Sequence, residues 1–216
     1  MRIMLGNHHE SSDTNDGVLI DPALSTRLDR VAAKLAAAAR LPGEPVMFGA
    51  SAHRFELGPP LPGGEVAAFE RAHGVSLPED YRAFITKIGN GGPGRWGGAG
   101  PYYGLHPLQD WATSLWGMPE PHMLATPFPA EPGRVYSDWL SEVAPGDDDE
   151  PYRGTLALSD QGCGFLSVLV VSGPARGRIT DNNDTPAGPA FTDDADFLTW
   201  YERWLDAVLA GATHFR

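Results

Sequence analysis

The sequence predicts an α+β fold: a single domain in which helices pack against one antiparallel-rich central sheet. Three observations predict it. Apolar residues recur at helical spacing in separated segments, around 24–35, 66–73, 81–88 and 197–209. Between 155 and 179, three short apolar runs are separated by glycine-bearing turns, the pattern of an antiparallel meander. The length of 216 residues, with 42% hydrophobic content, supplies one main core.

The elements follow in chain order. Residues 1–20 are expected to form a flexible arm, because Asn7 to Asp16 is nearly all polar and shows no periodicity. The single domain is then 21–216. Asp21 or Ser25 can cap a first helix whose apolar positions are Leu24, Leu28, Val31 and Leu35, stopped by Leu41-Pro42-Gly43. Val46 to Leu57 lies between prolines and reads as extended chain or a short strand at a sheet edge. Val66, Phe69 and His73 share a face of a short helix that Gly74 ends. Ser76-Leu77-Pro78-Glu79 combines a capping box with a first-turn proline, and Tyr81, Phe84, Ile85 and Ile88 then form an apolar stripe up to Gly89.

The stretch from Gly89 to Gly104 is glycine-rich and is expected to be a structured turn or a mobile loop. Gln109 to Glu150 mixes tryptophans with many prolines, which predicts irregular structure with isolated helical turns. Thr155–Leu158, Phe165–Val171 and Arg178–Ile179 make the meander, and a Thr192 or Asp193 cap leads into a last helix through Phe197, Trp200, Tyr201, Trp204, Leu205 and Val208.

Sixteen basic against 28 acidic residues give a formal charge of −12, which disfavours direct binding to nucleic acid or anionic lipid and favours a cationic partner. No apolar run approaches the roughly 18 residues of a membrane span. The opening Met1 to His8 does not read as a signal peptide, so a cytoplasmic location is expected.

Three segments together resemble the SUKH superfamily, which includes fungal cell-wall-synthesis regulators and many bacterial immunity proteins. The first holds Phe69-Glu70, Gly74, Leu77-Pro78-Glu79-Asp80-Tyr81 and Gly89-Asn90-Gly91-Gly92. The second is Gly100-Pro101-Tyr102-Tyr103-Gly104-Leu105, and the third runs from Gly162-Cys163-Gly164 to Trp200-Tyr201 and Trp204-Leu205. Two departures are an apparent insertion at Pro93–Gly98 and Thr180 in place of an expected tryptophan, so packing there is expected to differ. The resemblance implies a bacterial immunity-type protein that blocks a toxin encoded beside it, often a nuclease, by non-covalent occlusion. As the alternative, it allows an intracellular scaffold or regulatory adaptor without a toxin partner. It brings no catalytic residues and no cofactor.

The candidate partner-binding residues are the acidic run Asp147, Asp148, Asp149 and Glu150, which can mimic a phosphate ligand, and the aromatics Trp96, Tyr102 and Tyr103. The expected partner is a cognate protein toxin with a basic surface. The acidic run also reads as a plain solvated loop. Asp181-Asn182-Asn183-Asp184 lacks the glycine and glutamate of a calcium loop and reads as a turn, and the histidines are too scattered for a zinc site. Cys163, between two glycines ahead of an apolar strand, is expected to be a partly buried thiol. Glu70 and Asp80 are the nearest approach to an acid–base pair, separated by a helix break. No catalytic residue, metal ligand or cofactor is expected.

Overall fold

The computed structural model describes residues 21–92, 97–112, 121–146, 150–182 and 187–215. Among these the elements are α1 (Pro22–Ala38), α2 (Ala50–His53), α3 (Gly63–His73), α4 (Glu79–Lys87), α5 (Trp139–Val143), β1 (Thr155–Gly162), β2 (Phe165–Val170), β3 (Ile179–Asn182), β4 (Ala190–Phe191) and α6 (Phe197–Leu209). Short 3₁₀ turns occur at Leu108–Asp110 and Pro121–Met123. The strands form one sheet in the order β1-β2-β3-β4, each pair antiparallel. The protein is therefore α+β, with helices and sheet sharing one continuous core.

The apolar spacing explains which helix faces are buried. Leu24, Leu28 and Val31 turn α1 inward, and Asp21 caps it by accepting from the Ala23 N–H at 2.9 Å. Tyr81 and Phe84 of α4 meet Phe197 and Tyr201 of α6, with ring centroids 4.8–5.1 Å apart, and Ile85 is buried too. Along α6, Phe197, Trp200, Tyr201, Trp204 and Leu205 are all essentially inaccessible to water, so this helix is the hub of the core. A second aromatic nest joins Phe128, Tyr136, Trp139 and Tyr152 and reaches Phe191 of β4.

Hydrogen bonds tie the elements together at their ends. The buried carboxylate of Asp80, at the start of α4, accepts from the Leu198 N–H at 2.9 Å and so satisfies a first-turn donor of α6. Asp196 caps α6 through the Thr199 N–H and receives two hydrogen bonds from Arg27 of α1, at 2.7 and 2.8 Å. Glu70 of α3 accepts from the Leu77 N–H and pairs with Arg82.

Several expectations are corrected. The strand expected in 46–57 does not form; the segment turns at Gly49 (φ 78°), makes the single helical turn α2, and leaves it through left-handed Arg54 and Phe55. Loop packing wins there, because Met47 and Phe55 are buried without a strand partner. Ser76 does not close a capping box: Pro78 occupies the cap position of α4, and the Ser76 and Leu77 carbonyls instead accept from Arg176. Asp196, rather than Thr192 or Asp193, caps α6. Asp181 and Asn182 are strand residues, held by Ser167 and by the Leu166 N–H respectively; Asn183 and Asp184 lie outside the described residues. Cys163 is exposed at the tip of the β1–β2 hairpin, where Gly162, Cys163 and Gly164 all have positive φ. Thr180 is fully buried on β3, so a small side chain fills that core position.

Candidate partner-binding surface

Three loops converge beside the β1–β2 hairpin. The turn at 47–49 crosses the turn at 100–104 so closely that a Cβ on Gly49 would stand 1.8 Å from the Tyr102 carbonyl oxygen. Only glycine allows that crossing. The chain after α6 comes back over both, and the Phe48 N–H donates to the Thr213 carbonyl at 2.8 Å. The Tyr103 N–H donates to the Asp160 carbonyl near the end of β1, which anchors the second turn to the sheet.

The convergence gathers aromatic side chains into one surface. Phe48 packs edge-on against Tyr103 at 5.2 Å and stacks with His214 at 6.0 Å and 7°. Tyr102 meets Phe215 at 5.9 Å, and Phe215 continues to Trp200 of the core and lies under the Arg203 guanidinium at 4.2 Å. The outer members face water: Phe48 is 38% exposed, His214 is exposed, and Tyr102 and Tyr103 are half-buried. Large rings anchored from behind by a rigid core lose little entropy on contact, the usual make-up of an interface hot spot.

Charged groups of both signs act near this surface, with Arg203 as well as Asp181 acting on Tyr102. Asp160 and Asp110 act on His106, whose imidazolium is nonetheless pushed down by burial. Asp181, hydrogen-bonded by Ser167, acts on Tyr102; burial and that charge push the Tyr102 phenol up to about 12, so its O–H stays a donor at neutral pH. Anionic side chains beside aromatic faces suit a lysine or arginine from a partner.

The candidate residues fall in different places. Tyr102 and Tyr103 belong to this surface. Glu150 stands before the other end of β1: from Thr155 to Asp160 alone the strand spans about 16 Å. Its carboxylate accepts from the Tyr152 N–H, and burial pushes its pKa up, which makes it part of the turn into the strand. Asp147, Asp148, Asp149 and Trp96 lie outside the described residues. Phe48, His214, Phe215 and Asp160 were not among the residues singled out in the sequence. The only signal for them was an aromatic pair past Gly211 and a lone Phe among loop residues.

Glu70 accepts from the Leu77 N–H in the loop before α4, and Asp80 from the Leu198 N–H of α6. No group of three His, Cys, Asp or Glu among the described residues is placed to hold a metal ion. No helix among them is long and apolar enough to cross a membrane. The family model described as the SMI1 / KNR4 family (SUKH-1) matches residues 60–187. None of the curated proteins and none of the solved structures matches the chain.

Proposed function

As the chain belongs to the SMI1 / KNR4 family (SUKH-1), matched over more than half its length, we propose that it is an immunity-type protein that binds and occludes a toxin in the cytoplasm. The family fits this reading, and the observation that carries it in this chain is the exposed aromatic surface of Phe48, Tyr103 and His214. The partner is a protein with a basic face, such as a nuclease or other nucleic-acid-modifying toxin, because the chain carries a formal charge of −12 and Asp160 is hydrogen-bonded through its carbonyl to the Tyr103 N–H. Occlusion requires no bond making: the aromatic rings supply the contact and the acidic charge speeds the encounter.

The test is co-expression with the product of the neighbouring gene. Protection of growth and a stable complex at nanomolar affinity, about −12 kcal/mol, is the expected result. A neighbouring toxin that neither binds nor is inhibited removes the reading, and a pull-down that returns only housekeeping proteins replaces it with an adaptor role.

A further inference from the structure

The chain leaves α6 through a left-handed residue and doubles back over the molecule. Gly211 (φ 76°) donates to the Val208 carbonyl at 3.0 Å and Ala212 to the Ala207 carbonyl at 2.9 Å, which closes the helix and reverses the chain. Residues 213–215 then reach the 47–49 turn, where the Phe48 N–H donates to the Thr213 carbonyl and the His214 ring stacks on Phe48. His214 is exposed and Phe215 is only 7% exposed, so the segment offers one ring to water and sends the next inward.

Phe215 enters a socket of mixed character. Tyr102 and Trp200 meet it edge-on at 5.9 and 6.1 Å, and the Arg203 guanidinium lies over its ring at 4.2 Å. A cation over a ring face is attracted by the ring quadrupole, and that attraction is lost if the cation swings aside. Asp194 prevents the swing. Its two carboxylate oxygens accept from Arg203, from Nε at 2.9 Å and from a terminal nitrogen at 2.7 Å, a two-pronged pairing that fixes the guanidinium plane. The Asp194 carboxylate is 4% exposed, and its backbone is tied to the sheet: Arg178, next to β3, donates to the Asp194 and Thr192 carbonyls at 3.0 and 2.8 Å.

These contacts run in one line from sheet to surface. Arg178 fixes residues 192–194, Asp194 fixes Arg203, Arg203 clamps Phe215, and Phe215 holds the segment that carries Thr213 and His214 against Phe48. Resting on the function proposed above, we infer that Arg203 is a positioning residue for partner binding, acting through Phe215 to set the exposed Phe48–His214 pair in its binding geometry before the partner arrives. Ordering a loop at the moment of contact lowers affinity, and a segment ordered beforehand avoids that loss. A ring buried only to fill space needs no cation, and a leucine would fill the socket nearly as well. Arg203 is instead 38% exposed and aimed at the ring by a buried carboxylate. Asp194, Arg203 and Phe215 all follow the matched 60–187 segment, so the family match does not include them.

The ¹⁵N-labelled full chain is compared with Arg203→Gln, Arg203→Lys and Phe215→Leu by amide hydrogen exchange, with the Phe48 N–H read against the core amides of β2. Global destabilisation speeds both alike, whereas release of the segment speeds Phe48 alone. The Phe48 rate relative to β2 is expected to rise roughly tenfold in Arg203→Gln and in Phe215→Leu, and no further in the double variant, because the two act through one contact. Arg203→Lys keeps the charge but loses the two-pronged pairing, and a smaller rise is expected. Asp80→Ala, which destabilises the chain through Leu198 instead, is expected to change the ratio less than about twofold. The neighbouring gene's product, titrated into the same proteins, is expected to bind Arg203→Gln and Phe215→Leu about tenfold more weakly than the parent, and Asp80→Ala as tightly as the parent. Phe215→Leu touches no charge and decides the matter if Arg203→Gln fails to fold. An unchanged ratio in Phe215→Leu, fully additive effects in the double variant, or an equal rise in Asp80→Ala each overturn the inference. A product that binds the parent and the Phe215→Leu variant equally tightly also overturns it while leaving the function in place. A raised ratio together with a product that does not bind the parent supports the clamp and removes the function.

Discussion

At the scale of single residues, the surface depends on a backbone crossing that only one residue type permits. Gly49 combines φ 78° with the Tyr102 carbonyl in the space a Cβ would take, so Gly49→Ala meets both left-handed strain and overlap. A loss of roughly 2–5 kcal/mol is expected from urea unfolding. Gly43→Ala, with a similar φ of 83° but nothing within 4 Å, is expected to cost only about 1 kcal/mol. Equal losses would show that the crossing does not matter. Removing the buried carboxylate by Asp80→Ala leaves the Leu198 N–H unsatisfied and is expected to cost about 1–3 kcal/mol. Tyr102 and Tyr103 were legible in the sequence because paired aromatics among glycines stand out. Phe48 and His214 were not, since their stacking exists only once two loops far apart in the chain have met.

At the scale of elements, periodicity and turn glycines showed most of the layout: the stripes of α1, α4 and α6 and the β1–β2–β3 meander all lie where the pattern put them. What a local pattern does not encode is which of several neighbouring polar residues caps a helix. Thr192, Asp193 and Asp196 all precede α6, and Asp196 takes the cap because Arg27 of α1 also binds it. Asp196→Ala is accordingly expected to cost about 1–2 kcal/mol and the exposed Asp193→Ala less than about 0.5, measured side by side by thermal melting. The missed 46–57 turn has the same origin, for its shape comes from docking on the helical core. Glu202 shows how the α1–α6 contact responds to pH. Hydrogen bonds from Arg30 and Lys34 hold its pKa near 2, against an ordinary 4.5. A carboxylate lowered in the folded state stabilises above its unfolded pKa, and that contribution fades as pH falls from about 4.5 through about 2. Glu202→Gln is expected to be less stable than the parent at pH 6 and to converge on it near pH 2; a constant difference across that range would contradict the pairing.

At the scale of the whole molecule, fold and family were both readable from segments between Phe69 and Leu205, because their glycines and core aromatics are imposed by a shared architecture. The surface was less so, since exposure and the meeting of loops are properties of the finished fold. Its place among 16 basic and 28 acidic residues is what directs the choice of partner towards a basic protein. The most direct test of that choice is isothermal titration of the neighbouring gene's product, the toxin proposed as partner, into the parent and into a Phe48→Ala, Tyr103→Ala variant shown by melting to be folded. The parent is expected to bind at nanomolar affinity and the variant roughly 100-fold more weakly or worse. A folded variant that binds the toxin as tightly as the parent would contradict the account.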